Sequence, residues 1–102
     1  MKVYIAGPMT GLKDHNYPAF HAAARELRLA GYAVVSPAEI DAAKSLPWEE
    51  WMRLSLKALL SCTHVALLPD WHKSIGARLE QDLAAKLRIQ CAPVEKFLTK
   101  GI

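Results

Sequence analysis

Short β-prone runs, separated by stretches with helical spacing, constrain what this chain can fold into more than any other feature. The runs are Val3-Tyr4-Ile5-Ala6, Tyr32-Ala33-Val34-Val35, His64-Val65-Ala66-Leu67-Leu68 and Gln90-Cys91-Ala92-Pro93-Val94. Gly7-Pro8, Ser36-Pro37 and Pro69-Asp70 close the first three, and Pro93 argues for an edge position or the strand's end in the fourth. Between the first two runs, Phe20, Ala23, Ala24, Leu27 and Ala30 recur at intervals of three and four opposite Arg25, Glu26 and Arg28. This predicts a helix over 18–30, with Asn16 as cap and Gly31 as stop. Ser45, Pro47, Glu49 and Glu50 mark the start of a second helix ending at Leu60 or Ser61, with Trp48, Trp51, Met52, Leu56, Leu59 and Leu60 facing inward. A third runs from about Ile75 to Leu87 behind a Ser74 cap, with Leu79, Leu83 and Leu87 on one stripe. Residues 38–46 read as a loop over the strand ends, and Glu95 to Leu98 as a terminal turn.

Strand and helix therefore alternate, which is the pattern of an α/β fold with right-handed crossovers. The expected architecture is a small open parallel sheet of four or five strands with helices on both faces, a flavodoxin/Rossmann-like three-layer sandwich. A chain of 102 residues supports one hydrophobic core, so residues 1–102 are expected to form a single domain. Open parallel sheets bind ligands outside the carboxyl ends of their strands, which puts the loops at 7–16, 36–47 and 69–76 on one rim.

Composition narrows the function. The apolar runs are too short to cross a bilayer, and the start at Met1 passes into a strand without a secretory signal, so a cytoplasmic protein is expected. The formal charge is +3, with Lys and Arg scattered through helical patterns, which favours a small anionic ligand over a nucleic-acid polymer. Cys62 and Cys91 read as buried or half-buried thiols, and the His residues have no metal spacing, so neither metal nor cofactor is expected. A thin α/β domain leaves apolar helix surface to cover, which predicts a homodimer or higher homo-oligomer.

Candidate site residues cluster on that rim. Glu80 follows Gly76 by four residues on one helix face. Its carboxylate could attack a sugar C1′ or stabilise charge there, or it could serve only the helix dipole. Ser74 and the free N–H groups behind it offer an anion site, a simple cap, or both. Gly7, Pro8, Met9, Thr10 and Gly11 form a loop able to approach a phosphate or sugar, though they match neither a Walker loop nor a dinucleotide turn. Asp70 could bind a sugar hydroxyl and Trp71 could stack on a base, or they are a turn residue and a core-edge ring. Tyr4 reads first as core, with its hydroxyl emerging at the cleft if the ring lies beside the third helix.

Across Tyr4-Ile5-Ala6-Gly7-Pro8-Met9-Thr10-Gly11, Asn16-Tyr17-Pro18-Ala19-Phe20, Ser36-Pro37-Ala38-Glu39, Trp48-Glu49 and Leu67-Leu68-Pro69-Asp70-Trp71 through Gly76-Ala77-Arg78-Leu79-Glu80, the chain resembles the nucleoside 2-deoxyribosyltransferase-like superfamily. The likeness is to its short phage and bacterial members, grouped as DUF4406. Active relatives transfer deoxyribose between bases or hydrolyse the N-glycosidic bond of deoxynucleoside monophosphates. The resemblance implies that Glu80 is the nucleophile, within a Gly-x-x-x-Glu segment, and that Ser74 stands where hydrolases of 5′-phosphorylated substrates carry Ser rather than Asp. The implied partner is a nucleoside or nucleotide. Two positions depart from the pattern: Ser55 stands where active relatives have an Asp that assists the leaving base, and Thr63 where an acidic residue is common. A serine alcohol is no ordinary proton shuttle near neutrality. That leaves Asp41 or Asp70 as a substitute acid, or a nucleotide-binding module without turnover, or a structural protein of phage-like context.

Overall fold

A computed structural model describes residues 1–40 and 46–99. Four strands, β1 (Lys2–Ala6), β2 (Ala33–Val35), β3 (His64–Leu67) and β4 (Gln90–Pro93), form one parallel sheet in the order β2-β1-β3-β4. Helices α1 (Tyr17–Leu29), α2 (Trp48–Leu60), α3 (Ile75–Lys86) and α4 (Val94–Thr99) connect and follow them. This is the three-layer sandwich expected, with four strands. Tyr4 pairs in register with Val35 on one side and Val65 on the other, so β1 is central and buried on both faces.

Period-two alternation sends β1 side chains to opposite layers. Val3 and Ile5 meet Phe20, Ala24 and Leu27 of α1 and Val94 and Phe97 of α4. Tyr4 and Ala6 meet Leu59 of α2, Ala84 of α3 and Val65 and Leu67 of β3. The terminal turn expected at 95–98 is the one-and-a-half-turn α4, fixed by Phe97 against Tyr32 and by the Tyr32 hydroxyl donating to the Phe97 carbonyl at 3.0 Å. On the far side of α1, the Arg28 guanidinium donates to both oxygens of Glu39 at 2.8 Å and to the Val34 carbonyl at 3.1 Å. That fork ties α1 to the turn after β2 and holds the Glu39 carboxyl below its usual range.

Two expectations about helix faces are corrected. In α2 the buried residues are Met52, Ser55 and Leu59, while Trp48 and Leu60 are exposed. In α3 the buried residues are Ala77, Glu80 and Ala84, and the stripe of Leu79, Leu83 and Leu87 faces outward or sideways. The small Ala77 and Ala84 form the inward face of α3 with Glu80, which leaves the leucines turned away from the sheet. Asn16 stands at the start of α1 but does not cap it. Its amide donates instead to the Pro8 carbonyl at 3.0 Å, across a turn in which Asp14, His15 and Asn16 all have positive φ. Cys62 is buried and Cys91 half-buried, both as free thiols. Among the described residues no helix is long and apolar enough to cross a membrane.

Candidate functional site

The carboxyl ends of β1 and β3 open onto a cleft of about 920 Å³, within the range of small-molecule sites. One wall is the β1–α1 loop, with Pro8, Thr10, Leu12 and Asn16. The opposite wall is the β3–α3 connection, with Pro69, Asp70, Lys73, Ser74 and Gly76. Trp48 of α2 borders the cleft as well.

The β3–α3 connection owes its shape to local chemistry. Asp70 sits at φ 64°, a left-handed conformation that Asp tolerates, and reverses the chain after Pro69. A short 3-10 turn over Trp71–Lys73 follows, and Lys73 pairs weakly with Asp70 at 3.5 Å on the surface. Ser74 then caps α3, its hydroxyl accepting from the Ala77 N–H at 3.2 Å. Hydroxyl and cleft position thus coexist at Ser74, with the remaining first-turn N–H groups of α3 beside the cleft.

Gly76 faces α2: a side-chain carbon there would stand 3.4 Å from Met52 Sδ and 3.9 Å from the Trp48 ring. One turn further along, Glu80 is 4% exposed, and the Tyr4 hydroxyl donates a hydrogen bond to its Oε2. Among the described residues Glu80 has no ion-pair partner. Burial therefore dominates and pushes the carboxyl up to about 8, a rise that the hydrogen bond from Tyr4 only partly offsets. The Tyr4 phenol is likewise held well above its ordinary range, by burial first and then by the neighbouring Glu80. Ser55 of α2 completes the group: its hydroxyl is fully buried and close enough to ease Tyr4 ionisation slightly, yet no hydrogen-bond geometry is met.

The expected site residues fall into three groups. Pro8, Thr10, Asp70, Ser74 and Gly76 line the cleft. Tyr4 and Glu80 are brought together, but in a buried pair beneath it rather than on its surface. The rest lie elsewhere. Gly7 makes room for Leu68, whose Cδ1 would be 2.7 Å from a side-chain carbon there, so packing between strand ends accounts for this glycine. Met9 is buried in the α1-side core and edges a smaller hollow of about 270 Å³ with Trp48 and Trp51. Gly11 is exposed at φ +82°, which glycine suits, with open space where a side-chain carbon would stand. Trp71 packs against the α2–α3 core and opens onto a separate groove with His72 and Ile75. Asp41 lies outside the described residues.

Trp48 and Lys73 were not among the expected site residues; Ser55 was expected at a site position through the resemblance, as the departure from an Asp. Trp48 and Lys73 are cleft-lining, and their signal was proximity to the expected rim loops. No curated protein shows a significant match to the chain. Residues 1–92 match the family model described as a domain of unknown function (DUF4406), and the chain belongs to that family.

Proposed function

We propose that the protein binds a deoxynucleoside 5′-monophosphate in the cleft and cleaves or transfers its deoxyribosyl group through Glu80. The observation that carries this reading is a carboxyl buried without a cation among the described residues and hydrogen-bonded by Tyr4, one helical turn beyond a glycine that lines the cleft. Burying a carboxyl in this way costs several kcal/mol by comparison with an apolar side chain, and strongly perturbed acids beside clefts are enriched at working sites. The resemblance to the nucleoside 2-deoxyribosyltransferase-like superfamily supports the same assignment. The phosphate would be taken by the start of α3 at Ser74, with Lys73 beside it and Trp48 offering an aromatic wall.

In the reaction the ionised Glu80 carboxylate attacks C1′, the C1′–N bond breaks with its electron pair leaving on the base, and water or an acceptor base releases the glycosyl ester. Attack needs the deprotonated form, and Glu80 loses its proton only near pH 8. Base release should therefore rise from pH 6 through pH 8 and level off only above about pH 9. A fall over that interval would instead assign Glu80 as the proton donor.

The test is chromatographic detection of free base from the common deoxynucleoside monophosphates, with Glu80→Gln in parallel. The substitution should lower release by roughly 10³-fold or more while leaving binding largely intact. A second reading, a nucleotide-binding module without turnover, is favoured by the absence of Glu80 from the cleft lining and by Ser55, which cannot serve as an ordinary acid. It predicts that nucleotide protects the loops at 7–16 and 69–76 from hydrogen exchange while no base appears.

A further inference from the structure

The β1–α1 loop holds a conformation that its residues resist. Asp14, His15 and Asn16 take φ of 52°, 52° and 59° with ψ of 30°, 25° and 18°, a stretch of left-handed backbone in consecutive residues none of which is glycine. L-residues enter this region singly, because Cβ crowds the following carbonyl oxygen, and a run of them compounds the strain. Packing does not hold the turn, since no residue of 13–16 is buried. Its ties include the His15 N–H donating to the Leu12 carbonyl at 3.0 Å and the Asn16 amide donating to the Pro8 carbonyl at 3.0 Å. Nor can the turn relax by joining α1: Pro18 would then lie inside a right-handed helix with its ring against the Asp14 carbonyl. The alternative left is an extended segment, which over these residues reaches roughly 5 Å further.

Space and an unmet donor lie where such a segment would go. A hollow of about 270 Å³ lies between Thr10, His15 and Tyr17 on one side and Trp48 and Trp51 of α2 on the other. Trp51 has its Nε1–H shut off from solvent and, among the described residues, without a hydrogen-bond partner. A buried N–H left unbonded costs free energy that a backbone carbonyl delivered into the hollow would recover, and unwinding the turn frees the Leu12 carbonyl now held by His15. Thr10 and Trp48 line both the hollow and the cleft, so filling the hollow draws two walls of the cleft together. Gly11, at φ +82° with open space around it, supplies a hinge at the other end of the loop.

We infer that residues 11–16 form a strap that exchanges between the left-handed turn and an extended form seated in the hollow, where a strap carbonyl accepts from Trp51 Nε1 and the cleft closes between Thr10 and Trp48. Closing retains a bound ligand and excludes water beside it. The motion adds a conformational step to the proposed nucleotide chemistry and rests on that reading only for the identity of what is enclosed.

The full chain without ligand tests the exchange, through the Trp51 indole N–H in nitrogen–proton correlation NMR spectra. In fast exchange its peak position follows the closed population, and in slow exchange the ratio of two peaks does. Glycine relieves a left-handed residue and a β-branched side chain burdens it, so His15→Gly should lower the closed-to-open ratio about five-fold and His15→Val should raise it by about as much. Asn16→Ala, which also cuts the tie to Pro8, should move the signal in the same sense as His15→Val. All three variants should keep the wild-type circular dichroism spectrum. Closure of the cleft is read from acrylamide quenching of Trp48, isolated by difference from Trp48→Phe, which should be weaker in His15→Val than in His15→Gly. An indole signal that neither substitution of His15 moves, or that both move the same way, would overturn the exchange; equal Trp48 quenching in the two variants would overturn the closure. No nucleotide enters these measurements, so base release can fail while the strap stands, and the strap can fail while base is released.

Discussion

On one side of the sheet, α1 and α4 bury Val3, Ile5, Phe20, Leu27 and Phe97 against one another with no polar side chain among them, and α1 turns a charged face to solvent. On the other side, α2 and α3 bury Tyr4, Ser55 and Glu80 together with smaller apolar residues, and show leucines outward. The first side is almost wholly apolar, with the unbonded Trp51 Nε1 at its margin. The second gives up stability to keep an acid, a phenol and an unbonded alcohol in the dry interior. Because both sides hang on the same central strand, the contrast comes down to alternate residues of β1: Val3 and Ile5 against Tyr4.

The sharpest way to break this comparison is to cut each side in turn. Phe20→Ala removes a fully buried ring from the apolar side and should cost about 3–5 kcal/mol in denaturant unfolding at any pH between 5 and 8. A small or strongly pH-dependent loss would contradict a purely structural role.

Glu80 gives the next largest effect, and its sign is set by its raised pKa. The folded protein keeps the Glu80 proton up to about pH 8, whereas the unfolded chain releases it near the ordinary value of 4.5. Its contribution is therefore fully present below about pH 4.5 and lost progressively as pH rises through about 8, on the order of 5 kcal/mol in all. Glu80→Gln should flatten this part of the pH profile in thermal melts, leaving the variant more stable than the wild type at pH 8. An unaltered profile would mean that Glu80 titrates normally.

The smallest effect sharpens the contrast most directly. Ser55→Ala deletes a buried hydroxyl that has no hydrogen bond and should be neutral or stabilising by up to about 1 kcal/mol. Adding a hydroxyl by Ala24→Ser at the equally buried opposite layer should destabilise by a similar or larger amount. Equal responses on the two sides would remove the distinction.

The order of strands and helices was legible in the sequence because each element carries its own period and its own punctuation. All four strands and three of the helices lie within about two residues of where pattern places them. The rotation of α2 and α3 was not legible. A leucine stripe at intervals of four looks like an inward face, but α3 instead turns Ala77, Glu80 and Ala84 inward, with Glu80 against Tyr4 and Ala84 in the α2–α3 core, and these are tertiary facts. Gly7 shows a related limit: a glycine after a strand signals close approach, and only the fold shows that Leu68 is a group that approaches it. In the candidate site, spacing placed Ser74, Gly76 and Glu80 on one helix. It could not place the Glu80 carboxyl against Tyr4, 76 residues away.

The two borders of the sheet carry one more consequence. β2 offers only three residues, and β4 ends in Pro93, which has no N–H to donate. Both borders are poor templates for an added strand, so cross-β growth from this fold is disfavoured at both margins. A chain so guarded against backbone pairing can tolerate sticky helices, since any association through them is confined to side chains and must match their shape.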